Sequence, residues 1–254
     1  MKTSLIGRTV FSLLTVSAFG ADLASPQLPA PPPMPPPFAW TSCYGGLHAG
    51  GGSGQKDLTD TAGVLSQNFT DLTSADVGTS GYMLGGQIGC DYQFASNLVL
   101  GIEGSASGGN ITGTTIVTLQ NVITPLGDTA TFKASTDFLM SATARIGYAW
   151  DRWMLYAKGG VAGAGDKYSV LDAFQTYDFQ GLESRIGWTA GAGIEWALWQ
   201  DWSVRLEYDY YGFGQRSVTF IDNTFNSGAS GPENIRQTIQ VVKLGVNFHA
   251  YAGQ

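Results

Sequence analysis

Apolar and polar residues alternate with a period of two through most of the chain after Trp40. This alternation is typical of β-strands with two different faces, and no segment of useful length repeats apolar residues at helical spacing. We therefore predict an all-β protein. The eight predicted strands span residues 44–54, 81–94, 98–107, 136–150, 153–165, 185–199, 202–211 and 237–249.

The connections between these strands alternate in length. Those after the second, fourth and sixth strands are tight turns, at 95–97, 151–152 and 200–201, whereas the other connections run to about 19 to 28 residues. Short turns at one rim and long loops at the other are typical of outer-membrane barrels. The chain is therefore predicted to form an eight-stranded antiparallel up-and-down transmembrane β-barrel with short periplasmic turns and long extracellular loops.

The two faces of the predicted strands differ in charge. One face is uncharged and mostly apolar, which suits lipid, because an arginine on the lipid side costs about 2–4 kcal/mol at the bilayer midplane. The other face carries acids and bases, including Asp137 and Arg185, and an eight-stranded barrel is just wide enough for its side chains to fill the interior. We predict a lumen charge network of mutually paired side chains with a structural role: Asp91, Glu103, Arg145, Lys158, Glu195, Arg205, Glu207, Asp209 and Lys243.

Aromatic residues recur beside every short turn and near the end of the last strand. Trp and Tyr concentrate at membrane–water interfaces, so their repetition at one rim favours an interfacial belt over ordinary core aromatics. The predicted aromatic girdle consists of Tyr92, Phe94, Trp150, Trp153, Trp199, Trp202 and Phe248.

The first forty residues have a different composition from the rest. Lys2 and Arg8 precede an apolar run over 10–19, and small residues at 18 and 20 suit cleavage, so 1–20 is predicted to be a secretory signal peptide. Eight of the twelve residues in 26–37 are proline, which favours an extended spacer. We predict a proline-rich periplasmic linker over 21–40, with cell-wall contact as the alternative function, and the barrel over 41–254.

Charge and cysteine content exclude several classes of function. The formal charge of −7, which becomes −9 without the signal peptide, disfavours nucleic-acid binding because phosphate neutralisation needs clustered cations. The two cysteines are too few for a disulfide scaffold, and no cofactor or metal is expected. Cys43 and Cys90 share the outward parity on neighbouring strands, and the strand register decides whether they are bonded.

Candidate catalytic and binding residues are few. Lys56 ends a glycine-rich stretch, but Gln55 stands where a phosphate loop needs glycine. His48 falls on the lumen parity and is expected to be a satisfied lumen residue, and His249 is expected at the periplasmic rim. The predicted loops hold eleven acids against five bases, so they either attract divalent cations or are simply solvated; the third predicted loop groups Asp166, Asp172, Asp178 and Glu183.

Several segments resemble one known family of proteins. The start of the mature chain, with Ala21-Asp22-Leu23, the proline-rich spacer and Trp40 to Gly46, is similar to the alphaproteobacterial outer-membrane β-barrel surface antigens, which are related to OmpA-type small barrels and are often labelled porin family. Residues 144–148, 188–195, 204–208 and 242–248 resemble that family's mid-barrel strands. The family usually has an aromatic pair in place of Ser42-Cys43, and it usually ends at the final aromatic residue, whereas six residues follow Phe248.

The resemblance implies an integral outer-membrane protein with no catalytic residue. We therefore expect a non-enzymatic barrel in the cell outer membrane that contributes to envelope integrity and acts as a surface antigen. The expected partners are outer-membrane lipids, lipopolysaccharide and the outer-membrane assembly machinery, which reads Phe248 or Tyr251 as the terminal aromatic. The alternatives are a small-solute pore, or a haem- or ligand-binding surface protein that uses loop tyrosines such as Tyr168 and Tyr177.

Overall fold

The structure is a computed structural model that describes residues 38–59, 74–119, 128–172, 178–218, 221–222 and 233–251. Within these ranges the regular structure is entirely β, and there is no helix long and apolar enough to cross a membrane. The strands are β1 (Ser42–Thr59), β2 (Ser74–Gln93), β3 (Leu98–Leu119), β4 (Asp128–Trp150), β5 (Trp153–Asp172), β6 (Asp178–Ala197), β7 (Trp202–Val218), β8 (Ile221–Asp222) and β9 (Glu233–Ala250).

Eight long antiparallel strands close into a barrel. Each strand pairs with its sequence neighbour, β1 also pairs with β9, and β9 pairs with β7, so the sheet has no free edge among these strands. The two-residue strand β8 pairs only with Phe179 and Gln180 of β6. The predicted fold class, an eight-stranded antiparallel up-and-down barrel, is confirmed.

The strands are strongly tilted against the barrel axis. Following the register once around the wall from Phe248, through Gly45 on β1 and the other strands in turn, leads back to β9 at Thr238, ten residues away. A shear of this size in an eight-stranded barrel corresponds to a tilt of about 40°. Each residue therefore advances about 2.5 Å along the axis.

The strands extend well beyond the predicted ends on the side of the long connections. The predicted third strand ends at 107, whereas β3 continues to Leu119, and β4 begins at Asp128 instead of 136. Past the bilayer the outward face no longer has to be apolar, so the alternation disappears although the backbone ladder continues. The three short turns lie where they were predicted, and Asn97 and Asp151 adopt positive φ in two of them, a conformation that Asn and Asp tolerate.

The register between β1 and β2 decides whether the two cysteines are bonded. Cys43 and Cys90 are directly opposite each other on β1 and β2, and both are exposed on the outer wall. Their sulfur atoms are bonded, with 3.9 Å between the Cα atoms. The bond therefore joins the first strand pair near the periplasmic end and closes a segment with a sequence separation of 47.

Candidate functional site

Among the described residues, the interior of the barrel holds a dense cluster of ionisable side chains. All nine side chains of the predicted lumen charge network point inward, and none is more than 6% exposed. They occupy alternate positions on β2, β3, β4, β5, β6, β7 and β9, because every second residue of a strand faces the same side. The set comprises Asp91, Glu103, Arg145, Lys158, Glu195, Arg205, Glu207, Asp209 and Lys243.

Glu103 is the central anion of this network. Its carboxylate accepts hydrogen bonds from Arg145 Nη1 and Lys158 Nζ, both at 3.2 Å, and from Arg205 Nη1. The hydroxyl of Tyr44 also donates to it, at 2.8 Å. Three cations from three different strands therefore meet at one buried carboxylate.

A second group of ions continues the network toward the loops. Lys158 binds Glu207 at 2.7 Å and Asp209 at 3.2 Å. Lys243 binds Asp209 at 2.5 Å and donates to the Tyr211 hydroxyl at 2.9 Å. Buried charges are costly without partners, and here each acid of the group contacts a base on another strand.

Two further lumen tyrosines belong to the network, and, like Tyr211, they were not predicted. The Arg145 guanidinium lies 4.1 Å from the ring centre of Tyr156 and 5.2 Å from that of Tyr44. Tyr44 lies against Gly89, and Tyr156 against Gly193, where a Cβ would come within 2.5 Å of each tyrosine hydroxyl. The inward glycines therefore make room for the aromatic rings, and the pairing of tyrosine with glycine across strands was the missed signal.

Apolar layers lie on both sides of the network. On the loop side an inward cluster includes Met83, Leu139, Phe213 and Val241. On the periplasmic side Trp40 is fully buried and packs with Met154 and the aliphatic groups around it. The last residues of the predicted linker, 38–40, thus contribute to the folded unit, and the lumen is filled with side chains at both levels.

The two histidines are buried and hydrogen-bonded. His48 lies in the lumen, as the parity indicated, with Nδ1 2.6 Å from Gln87 Oε1 and Nε2 2.7 Å from Ser107 Oγ. His249 lies at the periplasmic end of β9, as predicted, but it is not a solvated rim residue, because it is 1% exposed and its ring lies between Ser42 and Ser203. The rings of Trp40 and Phe38 cover His249, and strand parity alone could not indicate that cover.

A second buried ion cluster lies near the extracellular end. Lys56 Nζ is 3.1 Å from Asp166 Oδ1, and Arg185 Nε is 3.4 Å from Asp166 Oδ2. Gln237 and Thr136 also donate to Asp166. The placement of Asp166 in a loop was therefore wrong, since it lies on β5 with 2% exposure.

The lumen orientation predicted for Asp137 is also wrong. The register between β4 and β5 shifts between Thr136 and Phe138, so Asp137 is the extra residue of a β-bulge. Its carboxylate is partly exposed and binds Lys167 at 2.7 Å. A bulge moves a side chain from one face of the strand to the other, and no pattern in the sequence indicated the bulge at Asp137.

The predicted girdle residues all lie on the outer wall or in the turns at the periplasmic rim. Their exposed fractions run from 38% for Trp153 to 68% for Trp199. The structure also shows exposed aromatic side chains at the other end of the apolar wall, namely Tyr82, Phe138 and Trp188. The members at the periplasmic rim are Tyr92, Phe94, Trp150, Trp153, Trp199, Trp202 and Phe248.

The balance of charges in the loops differs from the prediction, because the five bases assigned to the loops lie on strands. They are Lys56, Lys133, Lys167, Arg216 and Arg236. Most of the eleven acids likewise lie on the extended strands.

Tyr177 lies outside the described residues, and the side chain of Tyr168 is not among those described, so the haem hypothesis stays a prediction. In the described ranges, no group of three or more His, Cys, Asp or Glu residues is placed to hold a metal ion.

A closed barrel with an apolar, uncharged membrane-facing wall and buried ions in its interior is the architecture of an integral outer-membrane protein. The outer membrane protein beta-barrel domain family matches residues 39–248. The chain therefore belongs to this family and resides in the outer membrane.

Relatives and solved structures agree with this membership. The chain is similar to the 31 kDa outer-membrane immunogenic protein of Brucella melitensis, with 27% identity covering 96% of this chain and 98% of the relative. It is also similar to the 25 kDa outer-membrane immunogenic protein of Brucella abortus, with 28% identity covering 88% of this chain and 90% of the relative. The outer membrane protein OprG of Pseudomonas aeruginosa shares the fold, with a TM-score of 0.50 and 12% identity covering 84% of this chain and all of that one.

Proposed function

We propose that this protein is a non-conducting, non-enzymatic barrel that supports envelope integrity and presents its long connections at the cell surface as an antigen. The observation that carries the proposal is the filled lumen. The ion network around Glu103 lies between an apolar layer that includes Leu139 and Phe213 and the buried Trp40. A solute would have to separate ion pairs that cost several kcal/mol to break.

The absence of catalysis is supported by the setting of the hydroxyl and imidazole groups. Ser203 and His249 are hydrogen-bonded at 2.8 Å, but Ser203 is 0% exposed and its hydroxyl also contacts Glu195 at 2.5 Å. A substrate would need to reach this pair past the side chain of Trp40. His48 is equally enclosed, at 4% exposure. The names of the Brucella relatives support the antigen role.

We propose three kinds of partner. The exposed apolar wall, with side chains such as Ile102 and Leu244, contacts lipid acyl chains, and lipopolysaccharide surrounds the extracellular end. The assembly machinery reads the last strand through Phe248, which is exposed, whereas the Tyr251 hydroxyl donates to the carbonyl oxygen of Gln200. Burial raises the pKa of Tyr251 to about 12, so this donor keeps its proton at neutral pH. The proline-rich segment is proposed to reach the cell wall.

Planar-bilayer recording tests the closed lumen. Purified barrel whose mobility on gels changes on boiling, and is therefore folded, is added to the bilayer at increasing amounts. We expect no conductance steps. Reproducible steps from the folded protein would overturn the proposal and favour the small-solute pore.

A further inference from the structure

The positive charges of this chain are distributed in an unusual way. Apart from Lys2 and Arg8, the chain has eleven Lys and Arg residues, all within the described ranges. One, Arg152, lies in a periplasmic turn, and four are exposed at the extracellular ends of strands. The remaining six are buried in the lumen: Lys56, Arg145, Lys158, Arg185, Arg205 and Lys243.

Two of the four exposed cations share one patch of outer wall. Lys167 is directly opposite Ser135, and Lys133 lies two residues from Ser135 on the same face of β4. The two lysines are therefore diagonal neighbours across the strand pair. Lys133 is exposed, and the side chain of Lys167 is 64% exposed.

One carboxylate lies beside these two ammonium groups. Asp137 accepts hydrogen bonds from Lys167, at 2.7 Å, and from Ser135, at 2.8 Å. This pair holds Lys167 against the wall and leaves a net positive charge on the patch. The other exposed cations are placed differently, since Arg236 is opposite the exposed Asp57 and Arg216 is opposite the inward-facing Ile235.

The patch lies at the height of lipid headgroups. Phe138 on β4 and Ile186 on β6 are exposed apolar side chains on the membrane side of the patch. With the strand tilt, Lys133 and Lys167 lie roughly 7 to 10 Å farther along the axis. The headgroup layer is about 5 to 8 Å thick on each side of a bilayer, and lysine stems bend back toward the membrane.

We propose that Lys133 and Lys167, on the outer wall of β4 and β5, bind a phosphate group of a phosphorylated glycolipid in the outer leaflet. Lysine is a point-charge ligand for phosphate, and the hydroxyl of Thr114, which is exposed and opposite Lys133, supplies a further donor. The formal net charge of the chain is −7, so this patch differs in sign from the protein as a whole. This inference deepens the proposed contact with outer-membrane lipid and rests on it.

The test is a titration of the folded barrel in detergent with a glycolipid that carries two phosphate groups, followed by native mass spectrometry. We expect Lys133→Gln/Lys167→Gln to weaken binding by at least about tenfold, because it removes two ammonium groups that donate charged hydrogen bonds to the phosphate. Asp137→Asn is expected to strengthen binding severalfold, since it removes the competing anion. The matched control, Arg216→Gln/Arg236→Gln, removes the same charge and is expected to stay within about twofold of the wild type.

Two further arms identify the source of the phosphate. The same glycolipid without phosphate is expected to bind the wild type as weakly as the intact lipid binds the double lysine variant, and millimolar inorganic phosphate is expected not to displace the lipid. Equal binding by the wild type and the double lysine variant overturns the site, as does an equal loss in the arginine control. All variants must keep the mobility change on boiling. A conductance step in the bilayer recording would overturn only the closed-lumen proposal, so the two failures are distinguishable.

Discussion

The pair formed by Lys243 and Asp209 offers the sharpest test of the lumen network. Their charged atoms are 2.5 Å apart, and both side chains are at most 1% exposed. Removing one partner of a buried pair typically costs 3–5 kcal/mol, because the other charge loses its compensation. We expect Lys243→Met to lower the free energy of unfolding by an amount in this range.

The charge count predicts which of two single variants, Lys243→Met or Asp209→Asn, loses more stability. The predicted network has five acids and four bases. Lys243→Met leaves five acids with three bases, whereas Asp209→Asn leaves four of each. Asp209→Asn should therefore destabilise the barrel less than Lys243→Met does.

Urea unfolding of the barrel in lipid vesicles, followed by tryptophan fluorescence, measures these effects. At a typical urea slope of about 2 kcal/mol per molar, a loss of 4 kcal/mol lowers the midpoint by about 2 M. The variant with both substitutions should cost at least about 2 kcal/mol less than the sum of the two single costs, because the removed charges compensated each other. Strictly additive costs would refute the view that these side chains act as coupled ions.

Three other perturbations follow from the structure. Cys43→Ser/Cys90→Ser should lower the free energy of unfolding by about 4 kcal/mol on the chain-entropy view of a 47-residue separation, and a reductant should lower the urea midpoint of the wild type alone. Leu244→Arg should cost about 2–4 kcal/mol in vesicles but Gln240→Arg, nearer the interface, only about 0–1, and equal costs would contradict the assigned lipid face. Trp40→Ala should cost about 3–5 kcal/mol in the same assay, and an unchanged midpoint would contradict its packing role.

The faces of the strands were predictable where one face meets lipid. The period-two pattern around Arg145, Glu195 and Arg205 indicated the lumen side, and all three are buried there. Lipid excludes charge so strongly that the pattern must appear in every membrane-crossing segment. Beyond the bilayer this constraint ends, and the same reasoning therefore placed Asp166 and Lys133 in loops although both lie on strands.

The bulge at Asp137 and the burial of His249 could not be predicted, because both depend on residues outside the strand that carries them. The bulge that turns Asp137 outward inserts a residue into one strand only, and its signal depends on the partner strand. His249 is covered by Trp40 and Phe38, which come from the other end of the chain. Contacts between residues so distant in sequence leave no periodic pattern.

The sequence by itself determined the class of this protein, the number of its barrel strands and the side of the wall on which each mid-barrel ion lies. Those properties follow from alternation along single strands, because lipid on one side and a closed interior on the other act on every residue independently. Only the tertiary structure decided the cysteine pairing, the convergence of three cations on Glu103, the aromatic cover at Trp40 and the approach of Lys133 to Lys167. These features depend on the register between strands, which sets the neighbours of each residue across the sheet and is invisible in any strand alone.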